Sequence, residues 1–102
     1  MMRILERKRA AIADLCARYG VSRLDVFGSA LRDENQPGES DLDLLVEFDP
    51  MDPYERADAY FGLLDELRSL LGVKVDLVVA GAVKNRFIAA DIERTKQVLY
   101  AA

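Results

Sequence analysis

The 102-residue chain has no histidine, no tryptophan and a single cysteine, Cys16. Without histidine, imidazole acid–base catalysis and the usual zinc ligands are excluded. One cysteine cannot form an internal disulfide, and Cys16 falls on an apolar helix face, where we expect a buried thiol rather than a nucleophile. Any chemistry must therefore use carboxylates, hydroxyls, lysine, arginine and a bound ion.

Long apolar runs and an excess of basic residues are also missing. No stretch approaches the roughly 18 apolar residues of a membrane helix, and the charged N-terminal residues do not resemble a signal peptide. The net charge of −4 argues against a general nucleic-acid binder, which needs a basic surface. We expect one globular domain over residues 1–102, in the cytoplasm, that binds neither membranes nor nucleic acid directly.

Hydrophobic periodicity predicts an α-β-β-α-β-α order of elements. The predicted elements are a helix over residues 2–19, strands over 22–27 and 41–48, a helix over 53–72, a strand over 73–79 and a helix over about 83–96. The last residues, QVLYAA, fit a helix or a short strand equally. The fold class is α/β (α+β), a small mixed three-stranded sheet with helices packed on one face.

The second helix has the clearest boundaries. Asp52 is well placed as its N-cap, Pro53 occupies the first helical position, and Gly72 follows its last turn. Its predicted buried stripe consists of Ala57, Tyr60, Phe61, Leu64, Leu67 and Leu71. In the final helix, Ile88 and Ile92 are predicted to face inward.

Three aspartates are predicted to share the uncovered face of the sheet. Alternation along the second strand points Asp41 and Asp43 away from the core, and Asp76 is the acid on the polar face of the third strand. Neighbouring carboxylates repel each other unless a cation lies between them. Mg²⁺ prefers such oxygen ligands together with substrate phosphates. Asp76 could alternatively act as a general base.

A Gly-Ser pair at the end of the first strand supplies a second part of the predicted site. Gly28 would let the backbone approach a ligand closely, and the helix start after Ser29 would offer N–H groups to phosphates. Arg32 could reach a phosphate or could equally pair with Asp33 or Glu34. The residues alone therefore indicate Mg²⁺-dependent phosphate chemistry.

The combination of Phe27-Gly28-Ser29 with Ser40-Asp41-Leu42-Asp43-Leu44-Leu45-Val46 resembles the signature of the DNA-polymerase-beta-like nucleotidyltransferase superfamily. More narrowly, the chain resembles the minimal nucleotidyltransferases (MNT type), many of which are antitoxins paired with a HEPN-domain toxin. Relatives often read GSRARG in the first motif, whereas this chain reads GSALRD, so Arg32 keeps its place but an arginine at position 30 and a glycine at position 33 are missing.

The resemblance implies a nucleotidyltransferase fold that transfers AMP from ATP, with Mg²⁺, to a hydroxyl of a partner. Gly28, Ser29 and Arg32 would bind the nucleotide, Asp41 and Asp43 the metal, and Asp76 the metal or the acceptor proton. In antitoxin members the acceptor is a tyrosine of the HEPN-type toxin. Two alternatives remain: a module that neutralises its partner by binding, and a subunit that modifies a small molecule. Homo- or hetero-oligomers are compatible with each.

Overall fold

The computed structural model describes residues 2–28 and 42–102. In these segments the chain forms four helices and four strands. They are α1 Met2–Arg7, α2 Arg9–Arg18, β1 Val21–Phe27, β2 Leu42–Phe48, α3 Pro53–Leu71, β3 Val75–Val79, α4 Arg86–Thr95 and β4 Gln97–Ala101. The predicted first helix is thus interrupted at Lys8. None of the helices in the described segments is long and apolar enough to cross a membrane.

The strands form one mixed sheet in the order β3-β2-β1-β4. β2 pairs antiparallel with β1 and parallel with β3, and β4 pairs antiparallel with the other edge of β1. The predicted mixed sheet with helices is confirmed, but the predicted strand count of three is wrong. The ambiguous C-terminal residues form β4 because β1 offers them a free edge, which local periodicity cannot reveal.

The main core lies between one face of the sheet and the helices α2 and α3. Leu42, Leu44 and Val46 of β2 are fully buried there, as alternation predicts. Cys16 is also fully buried in this core, which confirms the expected core thiol. Burial raises its pKa to about 12, so the reactive thiolate is strongly disfavoured.

Helix α3 begins and ends where the sequence predicts. Both the N–H of Tyr54 and that of Glu55 donate to the Asp52 carboxylate, at 2.8 and 3.0 Å, and Gly72 ends the helix with a φ of +67°. Its buried stripe differs from the predicted one, because the buried positions recur every four residues and exclude the exposed Ala57 and Phe61. The buried residues are Ala59, Leu63, Leu67 and Leu71.

Helix α4 begins at Arg86, later than predicted, because the side chain of Asn85 caps it by accepting from the N–H groups of residues 87 and 88. It does not join α2 and α3 over the main core. It lies on the opposite face of the sheet, where Ile92 lines a small cavity together with Leu45 of β2. The prediction of helices on one face is therefore wrong for α4, and the face that carries Asp43 is partly covered.

Candidate active site

Two of the three predicted aspartates lie side by side on neighbouring strands. Asp43 of β2 is directly paired with Asp76 of β3 in the parallel register. Asp43 is half-buried and Asp76 is exposed, whereas their strand neighbours Leu42, Leu44 and Val75 point into the core. Adjacent strands are about 4.8 Å apart, so the two carboxylates emerge close together from the same face. The parallel pairing brings together acids that are 33 positions apart in the sequence.

Gly28 lies against one of these carboxylates. It follows directly after Phe27, which pairs with Asp43 across the antiparallel β1–β2 ladder. Its φ is +76°, a conformation that residues with a Cβ rarely adopt. A Cβ at Gly28 would lie 2.5 Å from Oδ2 of Asp43, closer than such atoms can approach. Glycine therefore leaves space at the Asp43 carboxylate and exposes backbone there.

Three predicted site residues lie outside the described residues: Ser29, Arg32 and Asp41. Their placement in the site remains a prediction. Within residues 2–28 and 42–102, no group of three or more Asp, Glu, His or Cys side chains is arranged to hold a metal ion. The described site is therefore the pair Asp43 and Asp76 with Gly28 beside it.

A second charged group on the same face of the sheet was not predicted. Asp25 of β1 is only 2% exposed, and the Nε of Arg23 donates to both of its carboxylate oxygens at 3.0–3.1 Å. The ammonium group of Lys96 lies 3.8 Å from Asp25 and donates to Glu93 at 2.9 Å. The hydrogen bond from Arg23 to Asp25 raises the pKa of Arg23.

These ion pairs join β1 to the end of α4 and so hold the helix on the face that carries the site. Local sequence gives one signal for the group, an acid in the middle of an apolar strand. Local sequence gives no signal that Lys96 is a partner of Asp25. Lys96 is 71 positions away and reaches Asp25 only because α4 covers this face of the sheet.

The family described as nucleotidyltransferase domain matches residues 8–99 of the chain. A relative from Methanocaldococcus jannaschii, named as a candidate protein adenylyltransferase, is 47% identical over 78 residues that cover 74% of each chain. A relative from Thermococcus cleftensis, named protein adenylyltransferase MntA, is 36% identical over 72 residues, which cover 71% of this chain and 69% of that protein.

Solved structures share the fold. A candidate minimal nucleotidyltransferase superposes with a TM-score of 0.76 at 36% identity and covers 91% of this chain and 90% of that one. A toxin–antitoxin structure with AMP-PNP gives 0.68 at 22% identity, covering 92% and 73%. A complex of tri-AMPylated Shewanella oneidensis HEPN toxin with its MNT antitoxin gives 0.64 at 20% identity, covering 96% and 73%. At these last identities the likeness concerns the fold alone.

Proposed function

Because the chain belongs to the nucleotidyltransferase domain family, we propose that it transfers AMP from ATP to a protein hydroxyl, a tyrosine of a HEPN-type toxin, and acts as the antitoxin of that pair. The observation that carries this proposal is the contact between the Gly28 backbone and the Asp43 carboxylate, with Asp76 paired beside it. A positive-φ glycine next to paired acids suits a phosphate whose charge is neutralised by a metal ion, because the backbone can approach the ligand closely there.

The donor set fits Mg²⁺. Asp43 and Asp76 offer hard oxygen ligands from two rigid strands, and the missing Cβ of Gly28 leaves room for a ligand at Oδ2 of Asp43. We assign Asp41 and Asp43 as the metal ligands, and Asp76 either as a third ligand or as the base that receives the acceptor proton. When bound, Mg²⁺ would neutralise phosphate charge and stabilise the leaving group.

The transfer itself needs an attacking hydroxyl and a place for its proton. In the proposed reaction the hydroxyl oxygen bonds to the α-phosphorus of ATP, the bond between that phosphorus and the bridging oxygen breaks, and pyrophosphate leaves. The hydroxyl proton passes to a carboxylate, and Asp76 is suited to receive it because it is exposed beside Asp43. Gly28, with Ser29 and Arg32, would hold the triphosphate.

The choice of a protein acceptor rests on the relatives. Two proteins that share 36–47% identity with this chain are named as protein adenylyltransferases or candidates for that activity. The neighbouring solved structures include an AMPylated HEPN toxin with its MNT antitoxin. These names favour a protein substrate over a small molecule, and they favour ATP as the donor.

The decisive experiment is intact-mass measurement of a co-expressed or added HEPN-type partner toxin after incubation with this protein, ATP and Mg²⁺. We expect the toxin to gain one or more AMP units, and peptide mapping should locate them on tyrosine. Asp43→Asn should abolish the gain while the protein stays folded, because Asp43 points away from the core. Asp49→Asn is the matched control, since Asp49 is an exposed acid just beyond β2, and it should leave transfer unchanged.

A second candidate function is neutralisation by binding alone. The departures in the first motif, Ala30 and Asp33, favour it because both alter the predicted phosphate-binding segment. An unchanged toxin mass together with a tight complex would overturn the transferase proposal and support this one. Loss of folding in Asp43→Asn would show that the acid is structural.

A further inference from the structure

A cavity of about 780 Å³ opens beside the candidate site, between the end of β1 and helix α4. We call it the α4 cleft. Its wall includes Phe27 at the end of β1 and Gly28 just after it, Phe87, Ile88 and Thr95 from α4, and Gln97 from the start of β4. The volume lies within the range of small-molecule sites, about 300–1,000 Å³. Since Gly28 also contacts Asp43, the cleft and the paired acids share a wall.

The apolar side of the cleft is unusually exposed. Phe87 is 75% and Ile88 is 54% exposed, although both are large apolar side chains. Adjacent exposed apolar residues next to a polar site are typical of a binding surface. The Arg86 guanidinium lies over the Phe87 ring, 5.3 Å from the centre of that ring.

We propose that the α4 cleft binds the base and ribose of the donor nucleotide, with the base stacked on Phe87. This inference rests on the proposed function, because it places the rest of the nucleotide whose phosphates lie at Gly28 and Asp43. A nucleoside is covalently joined to its phosphates and must lie within a few ångströms of them, and the cleft begins at Gly28.

The chemistry of the cleft matches a nucleoside. Bases present flat π-faces that stack on aromatic side chains, and their edges carry hydrogen-bonding groups. Phe87 and Ile88 supply the apolar surface, while Thr95 and Gln97 supply polar groups on another part of the wall. Phe87 would thus be a binding residue for the nucleoside of the donor rather than part of the phosphate-binding or acid–base machinery.

The test compares two ligands that share phosphates and differ in the nucleoside. Isothermal titration calorimetry with Mg²⁺ would measure the Kd of ATP and that of inorganic tripolyphosphate for the wild type and Phe87→Ala. We expect Phe87→Ala to raise the Kd of ATP about tenfold and to leave that of tripolyphosphate unchanged. Phe87→Tyr, which keeps the ring, should restore ATP binding.

Phe61→Ala is the matched control. Phe61 is 66% exposed on α3, so the same side chain is removed at a similar exposure away from the cleft. Both Kd values should stay at the wild-type level. Because Phe87 is so exposed, Phe87→Ala should also keep its fold, which circular dichroism would check.

Each other outcome overturns the inference in a recognisable way. If the wild type and Phe87→Ala bind ATP equally well, the base lies elsewhere. If Phe87→Ala binds ATP normally but no longer modifies the toxin, the cleft receives the acceptor protein instead. An equal loss for ATP and tripolyphosphate would mean that Phe87 acts through the phosphate site or the fold. If the wild type binds neither ligand, the proposed function itself fails.

Discussion

Gly28 has a φ of +76°, and a methyl group added at this residue would collide with the carboxylate of Asp43. The displaced atom, Oδ2 of Asp43, belongs to a side chain and not to the backbone, so the strands can keep their pairing while that carboxylate shifts. Replacement of this glycine should therefore affect the position of a site residue more than it affects stability. Gly72 allows the two effects to be separated, because its φ is +67° but nothing lies within 4 Å of where a Cβ would be.

We predict that Gly28→Ala and Gly72→Ala each lower the free energy of unfolding by about 1–2 kcal/mol, the cost of a positive φ for alanine. Only Gly28→Ala should lower AMP transfer, by roughly a hundredfold, because it moves Asp43 by an ångström or more. Urea titrations and transfer rates would measure both quantities. Equal activity of the two variants would show that the close approach at Gly28 has no role in catalysis.

At the same scale, the paired aspartates show what a sequence can predict about a site. Alternation along β2 puts Asp43 on the face opposite Leu42 and Leu44, and the structure agrees, because a strand has a period of two wherever it lies. The burial of Asp25 is not predictable in this way. It depends on α4 and Lys96, which reach Asp25 only through tertiary packing.

Among the elements, the ends of α3 are predictable from the sequence because local chemistry sets them. Asp52, Pro53 and Gly72 each act within one turn of the helix. Its buried stripe is less predictable, since many apolar residues around a helix allow more than one inward face. The face of the sheet that α4 covers is set by tertiary packing, which local sequence does not show. Phe61 and Ile88 are examples: both fit a helical period, and both are exposed.

The cap of α3 gives an element-scale prediction. Asp52→Ala removes the acceptor for two helix N–H groups and should lower Tm by roughly 4–8 °C at pH 7. Asp52→Asn keeps an acceptor there and should stay near the wild type. The control is Asp58→Ala, an exposed acid within the same helix. A Tm for Asp52→Ala equal to that of Asp58→Ala would contradict the role of the cap.

The pH dependence of this effect follows from the pKa of Asp52. Backbone hydrogen bonding from the N–H of Glu55 lowers that pKa, so the folded state binds a proton less readily than the unfolded state. The stabilisation is therefore complete above the ordinary pKa of about 4 and is lost as the pH falls through the lowered value. The difference in Tm between the wild type and Asp52→Ala should shrink when thermal unfolding is repeated at pH 3.

For the whole molecule, the core and the site depend on the same strand. Leu42 and Leu44 are fully buried on one face of β2, and Asp43 emerges between them on the other. The family relationship is predictable because a few spaced residues carry it, and the match over residues 8–99 confirms the family. The mixed sheet is predictable from the order of helices and strands, and the strand pairing confirms it. The fourth strand was not, because β4 is defined by its pairing with β1 rather than by its own sequence.

Cys16 makes the stability of this core measurable. Its thiol is fully buried and its pKa is raised to about 12, so at pH 8 it should react with an alkylating reagent only when the molecule opens. Labelling, followed by intact mass, should be much slower in the native protein than in urea.

Leu44→Ala should lower the free energy of unfolding by about 2–5 kcal/mol and accelerate labelling of Cys16 in the native protein by at least about tenfold. Val98→Ala, an exposed truncation on β4 of the same sheet, should change it little. If Leu44→Ala labels no faster than Val98→Ala, Cys16 reacts through local motion, and the core that supports Asp43 does not open as one unit.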